Sequence, residues 1–280
     1  LSMDYVHQNV DRVSPLSDYV TSNVRARQVF LGVEGKLNNY LAYKAEGGAA
    51  NGGAWAWDDV VIEYKPNEMT SLMVGNIKAA GLENLTSNRF TSFMDRGPFG
   101  DIVTDSYLAS FVAKLNGLNW SADLALQGDS LNSSDVNNTS TSNPGSRERN
   151  GVTARASFAP VLTDTDKVHL GIWVRQRNHG DESGFGYQGR PNTNYGTSGA
   201  YYKTGAIGKT DQTVALEGAW MHGPFSVQGE YATVKVTRQQ TLSVGSDPSL
   251  PVGYAMVSFW PTGETRNYDA TKGEFGRPKI

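Results

Sequence analysis

There is no cysteine in these 280 residues, which removes disulfide frameworks, thiolate metal sites and a thiol nucleophile together. Histidine is scarce as well. His7, His169, His179 and His222 are scattered without ligand spacing, so the sequence predicts no metal site and no cofactor. Charge of one sign is lacking too: 25 Lys and Arg against 28 Asp and Glu leave a net charge of -3, with no global basic character to attract nucleic acid. No window approaches the ~18 apolar residues of a membrane-spanning helix. The opening LSMDYVHQNV has neither the charged nor the apolar region of a signal peptide, as expected of a mature exported chain and equally of a cytosolic one. Ser-centred elbows and phosphate-cradling glycine loops are missing. Asp58 and Asp59 are adjacent, so on a strand they are expected to face opposite ways and not to share a substrate as acid and base. No catalytic residue is expected, and the chain is not read as an enzyme.

What the chain does have is glycine (31), aromatics (13 Tyr, 10 Phe, 6 Trp) and a period of two. The alternation is cleanest from Gln212 to Thr233. There Val214, Leu216, Gly218 and Trp220 alternate with Ala215, Glu217 and Ala219. After His222, Gly223 and Pro224, the residues Phe225, Val227, Gly229 and Tyr231 alternate with Ser226, Gln228, Glu230 and Ala232. Val168, Leu170, Ile172 and Val174 likewise oppose Lys167, His169, Trp173, Arg175 and Arg177. About twelve such segments occur, beginning near residues 2, 23, 38, 55, 69, 103, 118, 150, 167, 211, 225 and 252. No stretch carries a capped helical period, so the chain is read as all-β.

Connection lengths alternate. Tight turns at 37–39, 65–67, 116–117 and 222–224 are interleaved with long loops at roughly 77–102, 129–149, 178–210 and 238–251. Short turns on one side and long loops on the other, with aromatics at strand ends, favour a transmembrane antiparallel up-and-down β-barrel over a soluble sandwich. The mean hydropathy of -0.44 is compatible with this, because lipid-facing and water-facing residues cancel in the average.

Four segments carry a resemblance: RQVFLGVEGKLNNYLAYKAEGG (27–48), LTSNRFTSFMDRGPFGDI (85–102), ALEGAWMHGPFSVQGEYA (215–232) and SFWPTGETRNYDATKGEFGRPKI (258–280). In order and spacing they resemble the phosphate-selective porins (O/P porins) of Gram-negative outer membranes. The resemblance implies a single barrel domain of 16 strands, of which this chain would hold about 12 and be incomplete at both ends. It also implies a homotrimer in contact with outer-membrane lipid and lipopolysaccharide, with residues 77–102 as an inward-folded constriction loop. The implied activity is a water-filled, anion-preferring channel for passive uptake of small anions such as phosphate or polyphosphate. A general diffusion porin without a bound-anion step stands beside it, as does a surface β-protein that binds ligands through its long loops.

Anion preference asks for Arg and Lys along the pathway. Arg89 falls where the family's third loop has a Ser-Lys-aromatic pattern, with Arg here in place of Lys; Arg96 would line the same loop. Lys209 matches a family lysine by its spacing from LEGAW. Parity alone places Arg155, Lys167, Arg175 and Arg177 on the polar face of two consecutive strands, with His169 beside them and Asp59, Glu63, Asp123, Glu217 and Glu230 as counter-charges. Arg27, with Arg25, shares parity with Val29, Leu31 and Val33. Either a bulge near residue 28 corrects this, or the two arginines sit at the rim.

Overall fold

The computed structural model describes residues 2–10, 19–50, 54–93, 96–104, 107–132, 150–178, 186–189, 202–204, 207–238 and 245–277. Twelve strands form one antiparallel sheet. They are β1 (Ser2–Val10), β2 (Tyr19–Lys36), β3 (Leu41–Ala50), β4 (Trp55–Asn67), β5 (Thr70–Ile77), β6 (Leu108–Asn116), β7 (Trp120–Gln127), β8 (Asn150–Leu162), β9 (Asp166–Asn178), β12 (Gly208–His222), β13 (Phe225–Arg238) and β14 (Ser249–Phe259). The pair β10 (Gln188–Gly189) and β11 (Tyr202–Lys203) lies between β9 and β12, and the pair β15 (Tyr268–Asp269) and β16 (Glu274–Phe275) follows β14. Each strand of the large sheet pairs with its neighbours in this order, an uninterrupted meander. β1 and β14 are its two edges, and no pairing joins them among the described residues.

Turn chemistry explains the short connections. Between β2 and β3, Asn38 Oδ1 accepts hydrogen bonds from the backbone of Tyr40 and Leu41 at 2.8 and 2.9 Å, an Asx turn. Between β12 and β13, His222 pairs with Phe225 across two residues. Gly223 takes the positive φ of 52° that such a tight hairpin needs. The period of two breaks in β8, where the register shifts between Phe158 and Val161 around Pro160; the ring has no N–H for the ladder.

The sheet is inside out by the standard of a water-soluble protein. Leu216 is 55 % exposed and Ile172 47 %, whereas Arg155 is 3 %, Glu217 4 % and His169 0 % exposed. Leu124, Leu126, Val152, Leu170, Val174, Val214 and Tyr231 are exposed in the same way. A face with that much contiguous apolar surface is stable only against hydrocarbon, where it has no water to order. Arginine at Ile172 is therefore expected to destabilise the folded protein in lipid vesicles by about 2–4 kcal/mol, the cost of a cation at bilayer depth. Denaturant titration of Ile172→Arg checks this; a change within ordinary surface scatter would put water on that face.

Three segments pack against the opposite, polar face. The first, between β5 and β6, carries α1 (Leu82–Leu85) and α2 (Pro98–Val103). These helices of four and six residues are too short to print a helical period. Ala80, Phe99 and Val103 pack on Trp173, Ala215, Ala232, Val234 and Val236, so small side chains on β12 and β13 make the space the segment fills. Arg89 of this segment reaches Glu46 on β3, while Ser92 reaches Ser258 on β14. One segment thus touches both halves of the sheet, which must curl around it. The second segment carries β10 and β11. The third, residues 260–277, leaves β14 at the tight-turn end, opposite to the end from which the first two arise, and packs Tyr268, Ala270 and Phe275 on Leu82, Ala159, Ala219 and Met221.

Candidate functional site

The four cations that parity assigns to the polar face are buried, and the groups they bond belong to the fold. Arg155 forks onto Glu217, with Nε donating to Oε1 at 2.9 Å and Nη2 to Oε2 at 2.6 Å. Its remaining hydrogens reach the carbonyls of Lys272 (3.2 Å) and Gly273 (2.6 Å) in the third inner segment. His169 stands beside the pair, with Nε2 3.0 Å from Glu217 Oε2 and Nδ1 2.5 Å from the Tyr268 hydroxyl. A carboxylate held by arginine only accepts, which puts the proton on Nε2 and leaves Nδ1 to accept from Tyr268. Arg175 donates to the carbonyl of Val103 at 2.7 Å. Arg177 forks onto Asp211, which also accepts from Tyr187 Oη at 2.7 Å. Lys167 donates to the Asp164 carbonyl at 2.7 Å. Sequence alternation identifies the face of these residues; it carries no information about what packs on them.

Carboxylates pin the inner segments as well. Glu230 on β13 accepts from the backbone N–H of Leu82 (3.0 Å) and Glu83 (2.8 Å) and from Tyr254 Oη (2.8 Å), which satisfies the otherwise orphaned start of α1. Arg266 donates to Gln228 Oε1 at 2.5 Å and to the Phe90 carbonyl at 3.2 Å, and it lies 3.4 Å over the Phe275 ring.

A cavity of about 1100 Å³ remains between the inner segments and β2–β5. Its lining contains Glu46, Asp58, Asp59, Glu63, Asp269 and Glu274 against Lys44, Lys78, Arg89, Arg96, Lys272 and Arg277. The formal charges of the described lining therefore cancel. Arg89 is largely exposed there and meets Glu46 at 3.4 Å. Arg96 donates to the carbonyls of Glu83 (2.9 Å) and Thr86 (2.5 Å), so it braces its own loop. Lys209 opens β12 half-buried and does not line this cavity. The side chains of Arg25 and Arg27 lie outside the described residues. The β2 backbone there does carry a bulge: Met3 pairs with Ala26 and Ser2 with Gln28.

Asp58 and Asp59 correct the expectation that neighbours on a strand face apart. Ala45 pairs with Val60 and Gly47 with Trp57, so two residues of β4 oppose Glu46 alone. This bulge turns both aspartates into the cavity. Exposed Trp55 and Trp57 precede it in odd parity, and exposed Ile62 and Tyr64 follow in even parity. The freed backbone groups are satisfied: Asn76 Nδ2 donates to the carbonyls of Trp57 (3.3 Å) and Asp58 (2.7 Å). Asn132 exchanges two hydrogen bonds with Trp57, at 2.6 and 2.7 Å. No group of three or more His, Asp or Glu side chains suited to a metal occurs among the described residues.

A lipid-ready outer face around a charged interior finds its counterpart in sequence comparison. The family model described as phosphate-selective porin O and P matches residues 5–279. The chain belongs to this porin family. That places it in the outer membrane of Gram-negative bacteria, against lipid, among proteins that are not enzymes. Among curated proteins it is similar to an uncharacterised protein of Caulobacter vibrioides, 24% identical over 257 residues, which cover 90% of this chain and 50% of that protein. It is also similar to Porin O of Pseudomonas aeruginosa, 24% identical over 244 residues, 80% of this chain and 53% of that porin. The porin chain thus spans about half the length of the curated relatives it matches.

Proposed function

We infer that this chain builds the greater part of a water-filled channel for passive diffusion across the outer membrane, with weak ionic selectivity and no saturable anion site. The closed barrel, its sixteen strands and the homotrimer are adopted from the family resemblance. Open sheet edges are not viable in hydrocarbon, so β1 and β14 require partners. The observation that carries the reading is the cancelling lining of the cavity. The wall cations Arg155, Arg175, Arg177 and Lys167 are engaged with the protein and are not presented to solutes. A second reading, a phosphate-preferring channel, draws on the family and on the exposed guanidinium of Arg89. Planar-bilayer recording of the full-length protein separates them. Reversal potentials near zero in a salt gradient, with no saturable block by phosphate, are expected. A chloride-selective current blocked by phosphate, and freed from block in Arg89→Ala, would establish the second reading instead.

Selectivity is also expected to depend on pH through Lys78. Its ammonium lies 4.5 Å above the Tyr107 ring and donates to the Asn84 carbonyl at 3.3 Å. Burial first, and the Arg96 guanidinium next, push it down to about 7, with Lys44 adding to this and Asp58 and Asp59 opposing it. It is charged below that value and neutral above it. The chloride-to-potassium permeability ratio should fall as pH rises through about 7, and Lys78→Met should flatten that profile. An unchanged profile in the variant would assign the dependence to another group.

A further inference from the structure

The charges of the cavity cancel in sum, and residues 260–277 contribute two of each sign, but the other two sources of lining charge differ in sign. β3 and β4 supply Glu46, Asp58, Asp59 and Glu63, with Lys44 as their one lining cation. Lys44 is taken up by Asp59 at 2.5 Å and Glu46 at 3.7 Å. Asp58 makes no ion pair among the described residues. The segment between β5 and β6 supplies Lys78, Arg89 and Arg96 to the lining and no carboxylate to it among the described residues, and Arg89 meets Glu46 of the acidic side at 3.4 Å. The acidic side is rigid, because Asn76 and Asn132 lock the bulge that presents both aspartates.

The geometry points to a preference for small zwitterionic solutes, which pass with the cationic end on the Glu46–Asp58–Asp59 side and the anionic end on the Arg89 side. This rests on the channel reading and names its solute class. Opposed charges in a cleft with low-dielectric walls focus a field across the path. A solute with net charge gains on one side and is repelled by the other. A zwitterion aligned with the field gains on both: an ammonium meets carboxylates while a carboxylate meets a guanidinium fork. An uncharged solute of equal size gains from neither.

The test is swelling of proteoliposomes containing the full-length protein in isosmotic β-alanine or its uncharged isomer lactamide, against protein-free vesicles. β-Alanine is expected to enter about tenfold faster, the low end of what focused fields contribute. The ratio should fall toward one in Asp58→Asn/Asp59→Asn. Arg89→Gln, which changes an exposed side chain on the other side, should lower it as well, and it carries the test if the double variant does not assemble. Equal entry of the two isomers would overturn the preference and leave the channel standing. A ratio that survives both variants would overturn its assignment to these residues. No entry of either solute above protein-free vesicles would remove the channel reading, and this inference with it.

Discussion

Replacing Glu217 with leucine is expected to cost about 3–5 kcal/mol, the penalty for leaving a buried charge without its partner. Among the described residues Glu217 is the one carboxylate hydrogen-bonded to Arg155, and it also holds His169 at 3.0 Å. Its loss strands a guanidinium that is 3 % exposed and frees the ring that orients Tyr268. The measurement is denaturant unfolding of the full-length protein in lipid vesicles. Removing both charges in Arg155→Met/Glu217→Leu should recover much of the loss, since an apolar replacement of a buried pair is often neutral or better. A single-variant cost below about 1 kcal/mol, the range of exposed pairs, would mean that water reaches Arg155.

Gly273→Val should release the third inner segment from the wall without unfolding the sheet. Gly273 has φ of 66°, and a Cβ there would press on Ser157 Oγ and come within 2.9 Å of Arg155 Nη1. The left-handed backbone costs a β-branched residue about 1–2 kcal/mol, and overpacking adds roughly 1–3 kcal/mol. The docking bonds at stake are those of Arg155 to the carbonyls of Lys272 and Gly273. Single-channel conductance is the readout, and an increase is expected because Asp269, Lys272 and Glu274 now line the cavity. Unchanged conductance would show that the segment does not narrow the path.

These two predictions concern parts of the molecule that the sequence left dark. Strand positions and faces were legible, because a period of two marks Val214, Leu216 and Trp220 as one surface and Glu217 as the other whatever lies beyond. The environment of Arg155 was not, since its partners Glu217, Lys272 and Gly273 lie 62, 117 and 118 residues away. α1 and α2 were invisible because four and six residues complete barely one or two turns. The bulge of β4 was hidden for a third reason. Strict alternation is the assumption by which faces are read, and a bulge is a local exception to it. Near residue 28 the same exception announced itself, because apolar parity visibly changes between Val24 and Val29. At Asp58 and Asp59 two identical residues conceal which one is extra.

In a strand with one lipid face, insertion of a single residue ordinarily turns every later side chain around. Here the extra residue is absorbed by the bulge, and Trp57 and Ile62 both face outward. Deleting either aspartate would restore an unbroken alternation with the same tryptophans and the same isoleucine outside, and one carboxylate fewer inside. A one-residue deletion at this point would therefore change the charge of the interior by one unit and leave the surface toward the membrane as it is.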